Sequence, residues 1–260
     1  MATPKPVTLI TGASAGIGTA LAHQFASSGH ELVLVARRSA QLNELAGMIE
    51  TRGLPRPQLI IADLTKSDAL ALIADELRLR GLDPNFVVNN AGFGLVGDAA
   101  AELDRAEQLT MIDLNTRALT DLTLRFIGSL ERHRGGILNV ASVAGFLPGP
   151  GLAVYHATKA YVLSLSEALH AELKPKGIRV TALCPGPVAT EFQTRSGMPE
   201  GYFPSFLDRS AERVAREGYE GLMAGKRVVI PGFPNRIAAF LPRLAPRGLV
   251  LAMMGRSRKH

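Results

Sequence analysis

A chain of 260 residues with 47% hydrophobic content is long enough to bury one large α/β core and too short for two such domains. Its formal charge of +6 would ordinarily raise nucleic-acid binding, but the excess sits late, at Arg236, Arg243, Arg247, Arg256, Arg258, Lys259 and His260, with no acidic residue after Glu220. Without basic and aromatic residues interleaved, that tail reads as solvated and a nucleic-acid partner is not expected.

The single Cys184 excludes a disulfide scaffold and fits a reducing compartment. The six histidines show no ligand spacing, so no metal site is expected and zinc-dependent redox chemistry is disfavoured. Met1 leads through Ala-Thr-Pro-Lys-Pro into the first strand with no charged-then-apolar leader, so no signal peptide and a cytoplasmic location are expected.

The first element is the apolar, β-branched run Val7-Thr8-Leu9-Ile10. It runs into Thr11-Gly12-Ala13-Ser14-Ala15-Gly16-Ile17-Gly18 and then the helical pattern Thr19 to Ser28. Gly12 can take a tight turn, Gly16 lets the backbone approach a pyrophosphate, and Gly18 permits close packing of helix on strand, with the phosphates at the helix N-terminus. Glycine clusters also make ordinary turns. Here the strand before and the helix after point to a dinucleotide turn, with Ser14 and Ile17 counted among its contacts. The absence of Gly-Lys-Ser/Thr excludes an ATP-binding loop.

The second strand, Glu31 to Ala36, ends where an acid would hold the adenosine ribose hydroxyls of NAD. That place holds Ala36, followed by Arg37 and Arg38. A guanidinium grips a phosphate and gains little from a neutral hydroxyl, so the sequence favours NADP(H) over NAD(H).

Further strands are predicted at 58–62, 85–89, 136–141, 178–183 and 227–230, each separated from the last by a helical span. Such alternation demands right-handed crossovers and a parallel sheet with helices on both faces. The site is then expected at the carboxyl ends of the strands, where Gly12, Asn90, Ser142 and Pro185 fall.

Asn115 lies in a helical stretch from Asp104 to Glu131, and Ser142 follows the apolar run Gly136 to Ala141. Tyr155 and Lys159 stand four residues apart, on one face of a helix and one turn from each other. A free phenol titrates near ~10, and an ammonium held close by favours the phenolate, so Lys159 is expected to draw Tyr155 toward neutrality. Tyr155 then serves as a proton donor and acceptor.

Residues 190–208 mix glycine, proline and aromatic residues without periodicity and read as a mobile cover over a pocket. Phe93, Gly94, Phe146, Leu147, Pro148, Phe192, Met198 and Tyr202 are expected to line that pocket, which is mostly apolar and has no Arg clamp for a carboxylate. An uncharged, hydrophobic carbonyl or secondary alcohol is the substrate this predicts. From Pro231 to Met254 two short apolar stretches are broken by Pro242, Arg243, Pro246 and Arg247, and neither is long enough to span a bilayer. Three placements stay open for this extension over 231–260: covering the substrate entrance, packing on a second subunit, or lying on an anionic membrane surface.

Taken in order, these motifs resemble the classical short-chain dehydrogenase/reductase family over about residues 7 to 190. The resemblance rests on the glycine motif Thr11 to Gly18, Asp63-Leu64, Asn89-Asn90-Ala91-Gly92, Asn115, Ser142, Tyr155-x-x-x-Lys159 and Pro185-Gly186-Pro187-Val188-Ala189-Thr190. It implies one Rossmann-like α/β domain over 1–260, doubly wound, with seven parallel strands in the order 3-2-1-4-5-6-7. It also implies Tyr155 as general acid or base and Lys159 as the group that lowers its pKa and binds the nicotinamide ribose. Ser142 would steady the substrate oxygen, and Asn115 would hold a water linking Lys159 to solvent.

By the same resemblance Asp63 and Leu64 contact the adenine, Asn90, Ala91 and Gly92 line the adenosine ribose, and Pro185, Gly186, Val188 and Thr190 meet the nicotinamide end. A homodimer or homotetramer is implied, paired through the helices that hold Asn115 and Tyr155.

The function expected is therefore an NADP(H)-dependent oxidoreductase that interconverts a ketone and a secondary alcohol. A nonenzymatic NADP-binding redox sensor is an alternative, although such a protein has no need of Asn115, Ser142, Tyr155 and Lys159 together. An acyl- or steroid-type ketone reductase working at a membrane surface is another. An extended-branch epimerase or dehydratase is opposed by the glycine spacing and by the short region after the sixth strand.

Overall fold

The computed structural model describes residues 4–199, 202–244 and 246–256. Seven strands form one sheet: β1 Lys5–Thr11, β2 Leu32–Ala36, β3 Gln58–Ile61, β4 Leu82–Asn89, β5 Gly136–Val140, β6 Arg179–Leu183 and β7 Val228–Val229. All pairs are parallel, in the order β3-β2-β1-β4-β5-β6-β7, so the expected doubly wound fold is present. The order reverses between β1 and β4, which opens a crevice at their carboxyl ends.

Central strands are covered on both sides, and their residues alternate between two cores. Ile10, Leu34, Val88 and Leu138 face one core with α1 (Gly16–Ser27), α2 (Ser39–Glu50) and α9 (Ala211–Met223). Their chain neighbours Leu9, Val33, Val87 and Ile137 face the other, with α3 (Ala69–Leu79), α5 (Leu119–Arg125), α6 (Ile127–His133) and α7 (Ala153–Leu173). Phe25 is the largest fully buried side chain, with its ring edge-on to Tyr219 and His30. The remaining helices are α4 (Arg105–Ile112), α8 (Glu191–Arg195), α10 (Phe233–Leu244) and α11 (Arg247–Arg256).

The helical stretch expected from Asp104 to Glu131 is present as three α-helices with a π-helical segment, Asp113–Ala118, between the first two. Asp104 caps the start, its carboxylate accepting the Glu107 N–H at 2.9 Å. The wider π turn shifts the helix phase around Asn115, whose side chain ends up 1% exposed. Hydrophobic periodicity hardly registers such a shift, because the flanking helices keep their own apolar faces.

Beneath the crevice a buried polar chain joins four elements. Asn89 Nδ2 donates to Thr123 Oγ1 and Asn139 Oδ1, and Asn139 Nδ2 donates to Ser166 Oγ. Buried polar groups cost free energy unless paired, so these bonds fix how β4, α5, β5 and α7 sit on one another.

Candidate active site

The floor of the crevice begins at Thr11, the last residue of β1. Its hydroxyl accepts the backbone N–H groups of Asn90 and Ala91, both at 3.1 Å, while Asn90 Nδ2 donates to the carbonyls of Thr11 and Gly12. The two expected turns are thereby stitched together. Gly12 has φ +64, and a Cβ there would lie 2.8 Å from Ala91 Cα, so glycine is needed for both shape and space.

At Gly18 a Cβ would run into Gly12 O and Asn90 Nδ2. Gly18 thus packs α1 against the turn from behind and does not line the crevice itself. Gly18→Ala is expected to lower stability by about 1–3 kcal/mol in denaturant unfolding and to weaken dinucleotide binding along with it.

Helix α1 starts at Gly16 with no side-chain cap on its first N–H groups. Those groups, with Gly16 and Ile17 on the crevice wall, are free donors for a phosphate. Opposite them stand Arg37 and Arg38. Arg37 lies 3.9 Å from Asp63, and Arg38 donates to Ser14 and pairs with Glu191 at 2.9 Å. Burial pushes the Asp63 carboxyl up, but the Thr65 N–H and hydroxyl and the Arg37 charge together bring it below the usual value.

Arg195, at the end of α8, adds a third guanidinium. It stacks on the Phe93 ring at 4.6 Å from the centroid and also lines the crevice, beyond the two arginines expected there from sequence. Burial lowers its pKa, and the charges of Arg37 and Arg38 lower it further. Three cations that repel one another across a crevice are stabilised by an anion placed between them.

At the far end of the crevice lie Ser142, Tyr155 and Lys159. Ser142 follows β5 and caps a short 3-10 turn, Val143–Phe146, by accepting the Ala144 N–H at 3.1 Å. Tyr155 and Lys159 share one face of α7. Lys159 is 6% exposed and donates to Val140 O at 2.8 Å, with its Nζ 5.8 Å from the Tyr155 ring centroid. Burial lowers Lys159 to about 8. Burial also raises Tyr155 to about 12, although part of its surface faces the crevice, and the Ser142 hydroxyl beside it pulls the other way.

The Lys159 ammonium is directed at the end of β5, and the groups that shift the phenol are its own burial, upward, and the Ser142 hydroxyl, downward.

Asn115 also lies behind the crevice wall. Its amide holds the backbone of Phe93 at both ends, accepting the Phe93 N–H at 3.1 Å and donating to Phe93 O at 2.9 Å, and it donates to Thr158 Oγ1 as well. It thereby positions the strand-four turn beside Lys159. All the other residues predicted to touch cofactor or substrate oxygen reach the crevice: Gly12, Ser14, Gly16, Ile17, Arg37, Arg38, Asp63, Leu64, Asn90, Ala91, Gly92, Ser142, Tyr155, Lys159, Pro185, Gly186, Val188 and Thr190.

The crevice measures about 1230 Å³ and is roofed by the segment expected to form a lid. Thr190 packs on Gly16, where a Cβ would lie 2.9 Å from its Cγ2, and the Phe192 ring lies 5.5 Å from that of Tyr155. Met198, Pro199, Tyr202, Phe203, Pro204 and Leu207 complete this wall. Glu200 and Gly201, in the same predicted lid, lie outside the described residues.

Of the pocket residues expected from sequence, Leu147, Phe192, Met198 and Tyr202 line it, whereas Phe93, Gly94, Phe146 and Pro148 do not. Phe93 is buried under Arg195. Gly94 packs directly behind Tyr155 and Phe192.

One contributor escaped the sequence reading. The His156 ring supports the turn beside Tyr155, with Nδ1 bonded to Leu147 O at 2.8 Å and no room for a side chain at position 149. From the C-terminal extension, Ala238, Leu241 and Val250 reach the crevice, and Asn235 packs on Gly186 while donating to Leu207 O and Pro231 O. Arg258, Lys259 and His260 lie outside the described residues.

A family model described as short chain dehydrogenase matches residues 6–200. Sulfoacetaldehyde reductase 2 of Chromohalobacter salexigens is 38% identical over 188 residues, covering 72% of this chain and 74% of its own length. A short-chain dehydrogenase from Sphingobium yanoikuyae, solved in complex with NADPH, superposes with a TM-score of 0.79 at 36% identity, covering 98% of this chain and 97% of the other. The bulky-bulky ketone specific alcohol dehydrogenase from Comamonas testosteroni gives 0.76 at 31% identity, covering 100% and 96%.

Proposed function

Because the chain belongs to the short-chain dehydrogenase family and is an oxidoreductase of alcohol and carbonyl groups, we propose that it is NADP(H)-dependent and interconverts a ketone and a secondary alcohol on an uncharged, hydrophobic substrate. One observation carries this reading: Tyr155, Ser142 and Lys159 lie at one end of a crevice whose other end gathers uncapped helix N–H groups and three guanidinium groups.

The crevice suits a phosphorylated dinucleotide. Gly16, Ile17 and the uncapped start of α1 would hold the pyrophosphate, and Arg37, Arg38 and Arg195 would face the adenosine phosphate. Asn90, Ala91 and Gly92 would line the adenosine ribose, and Val188 and Thr190 would meet the carboxamide. When bound, the cofactor supplies or accepts hydride.

The residues of the chain handle the proton. In reduction the Tyr155 hydroxyl gives its proton to the developing alkoxide, and the Ser142 hydroxyl donates a hydrogen bond to the same oxygen. The Lys159 cation lies close enough to stabilise the phenolate left behind, and it would hold the nicotinamide ribose hydroxyls. Asn115 keeps the 92–94 backbone in place around Lys159, and a water relay through it would return the proton from solvent. Met198, Tyr202, Phe203, Leu207, Ala238, Leu241 and Val250 exclude water and favour an apolar body around the carbonyl, in line with the bulky ketones of the Comamonas relative.

The cofactor preference is tested by titrating NADPH and NADH into the protein and following nicotinamide fluorescence. Arg37→Ala is expected to weaken NADPH binding by roughly tenfold to a hundredfold, the value of hydrogen bonds to a charged group, and to leave NADH nearly unchanged. Equal affinity of the unaltered protein for both would remove the role given to Arg37.

A further inference from the structure

We propose that the face formed by α10 and α11 docks on an anionic lipid surface, so that a lipophilic ketone enters the crevice from the membrane. The inference extends the proposed reading of the site, since it concerns how that substrate arrives.

Charge in this chain is segregated. The last forty residues hold eight Lys and Arg and no Asp or Glu, while the preceding 220 hold 21 Lys and Arg against 23 acids, a formal charge of −2. The whole basic excess therefore belongs to the segment that carries the two helices.

The same segment exposes apolar side chains in a helical row. Phe233, Ile237, Phe240 and Leu241 follow the i, i+4, i+7, i+8 spacing of one face, with Phe233 at 71% and Phe240 at 58% exposure. Leu249 and Leu251 on α11 are exposed as well. The opposite side of α10 is anchored through buried Asn235 and Ala239. Exposed apolar surface concentrated in one place marks an interaction site, and beside unbalanced positive charge it has the makeup of an interfacial helix.

Three arguments select lipid as the occupant. A second copy joined by a two-fold axis would bring this cationic segment against itself. A nucleic acid would neutralise the arginines but gain little from an aliphatic row. Finally, Leu241 is both exposed on this face and part of the crevice wall, and Val250 lines the same wall, so the apolar surface is continuous with the substrate cavity. Among the described residues no helix is long and apolar enough to cross a membrane, so the contact is with the surface.

The test is flotation of the full-length protein with vesicles of phosphatidylglycerol and phosphatidylcholine, compared with phosphatidylcholine alone. The protein is expected to float with the anionic vesicles, at least about tenfold less with the zwitterionic ones or in raised salt. The double variant Phe233→Ser/Phe240→Ser, altered only at exposed positions outside the crevice, is expected to lose flotation by a similar factor. Its NADPH-dependent turnover of a water-soluble ketone should stay unchanged.

No flotation of the unaltered protein, or equal flotation of the double variant, overturns the proposal. Retention on heparin without flotation does so too, and would assign the charge to another polyanion. Flotation is read without any turnover, so its failure leaves the redox reading standing, and an inactive protein that floats does the reverse.

Discussion

Tyr155→Phe is expected to lower kcat/KM for carbonyl reduction by about 10²–10⁴-fold, the range that a positioned proton donor contributes, while NADPH affinity stays within about twofold. The substitution removes one oxygen and keeps the ring, so the packing of Phe192 and Gly94 against it survives. Burial, only partly offset by the Ser142 hydroxyl, raises the phenol to about 12, so near neutrality it is the protonated form that is available, which is the form reduction consumes. The measurement is steady-state turnover across a panel of ketones, paired with fluorescence titration of the cofactor. Turnover unchanged by the loss of this hydroxyl would remove Tyr155 from the chemistry. An unaltered protein that binds NADPH but reduces nothing in the panel would favour the redox-sensor alternative.

Lys159→Met should have the second largest effect, and its two consequences run in opposite directions. Without the cation that supports the phenolate, kcat/KM falls by about 10²-fold or more. Stability at pH 7 rises. Burial has brought this lysine from 10.5 to about 8, so below about 8 the folded protein carries a desolvated charge that the unfolded chain holds in water. Between about 8 and 10.5 the unfolded state binds the extra proton, the folded state does not, and stability increases with pH as the penalty lifts.

The shift corresponds to roughly 3 kcal/mol at neutral pH, from which loss of the bond to Val140 O takes about 1 kcal/mol. Thermal unfolding should therefore show the methionine variant more stable at pH 7, with the gap closing toward pH 10.5. A variant less stable at pH 7 would mean that the buried ammonium is held by favourable contacts and is not penalised. In the unaltered enzyme the rate of reduction should decline as pH rises through about 8, where the cation is lost.

Much of this site was legible because its parts are local. A glycine turn between strand and helix, an Arg pair after β2, and Tyr and Lys one helical turn apart each declare their geometry within a few residues. The strand order follows from alternation and handedness. What stayed hidden depends on contacts between distant segments. Arg195 enters the crevice because α8 folds over the glycine turn and its guanidinium finds the Phe93 ring, and nothing near position 195 in the sequence signals that. His156 shares its helix with Tyr155, yet its use became visible only once Leu147 and Gly149 were seen against the ring. The direction of the Lys159 ammonium was similarly unreadable, because the partner that orients it is a backbone carbonyl nineteen residues upstream. The π segment around Asn115 leaves no trace in composition at all.

The position of β1 at the centre of an all-parallel sheet bears on how the protein is made. Its two neighbours are β2 and β4, and β4 is complete only at Asn89. Because β1 is made before either neighbour, it must wait, with one row of N–H and C=O groups unpaired, until β4 has followed. No hairpin can cover it in the meantime, since parallel partners are always separated by a crossover. Refolding from denaturant should accordingly be slow, and the nascent chain that still lacks β4, rather than the finished enzyme, is where aggregation and chaperone binding would concentrate.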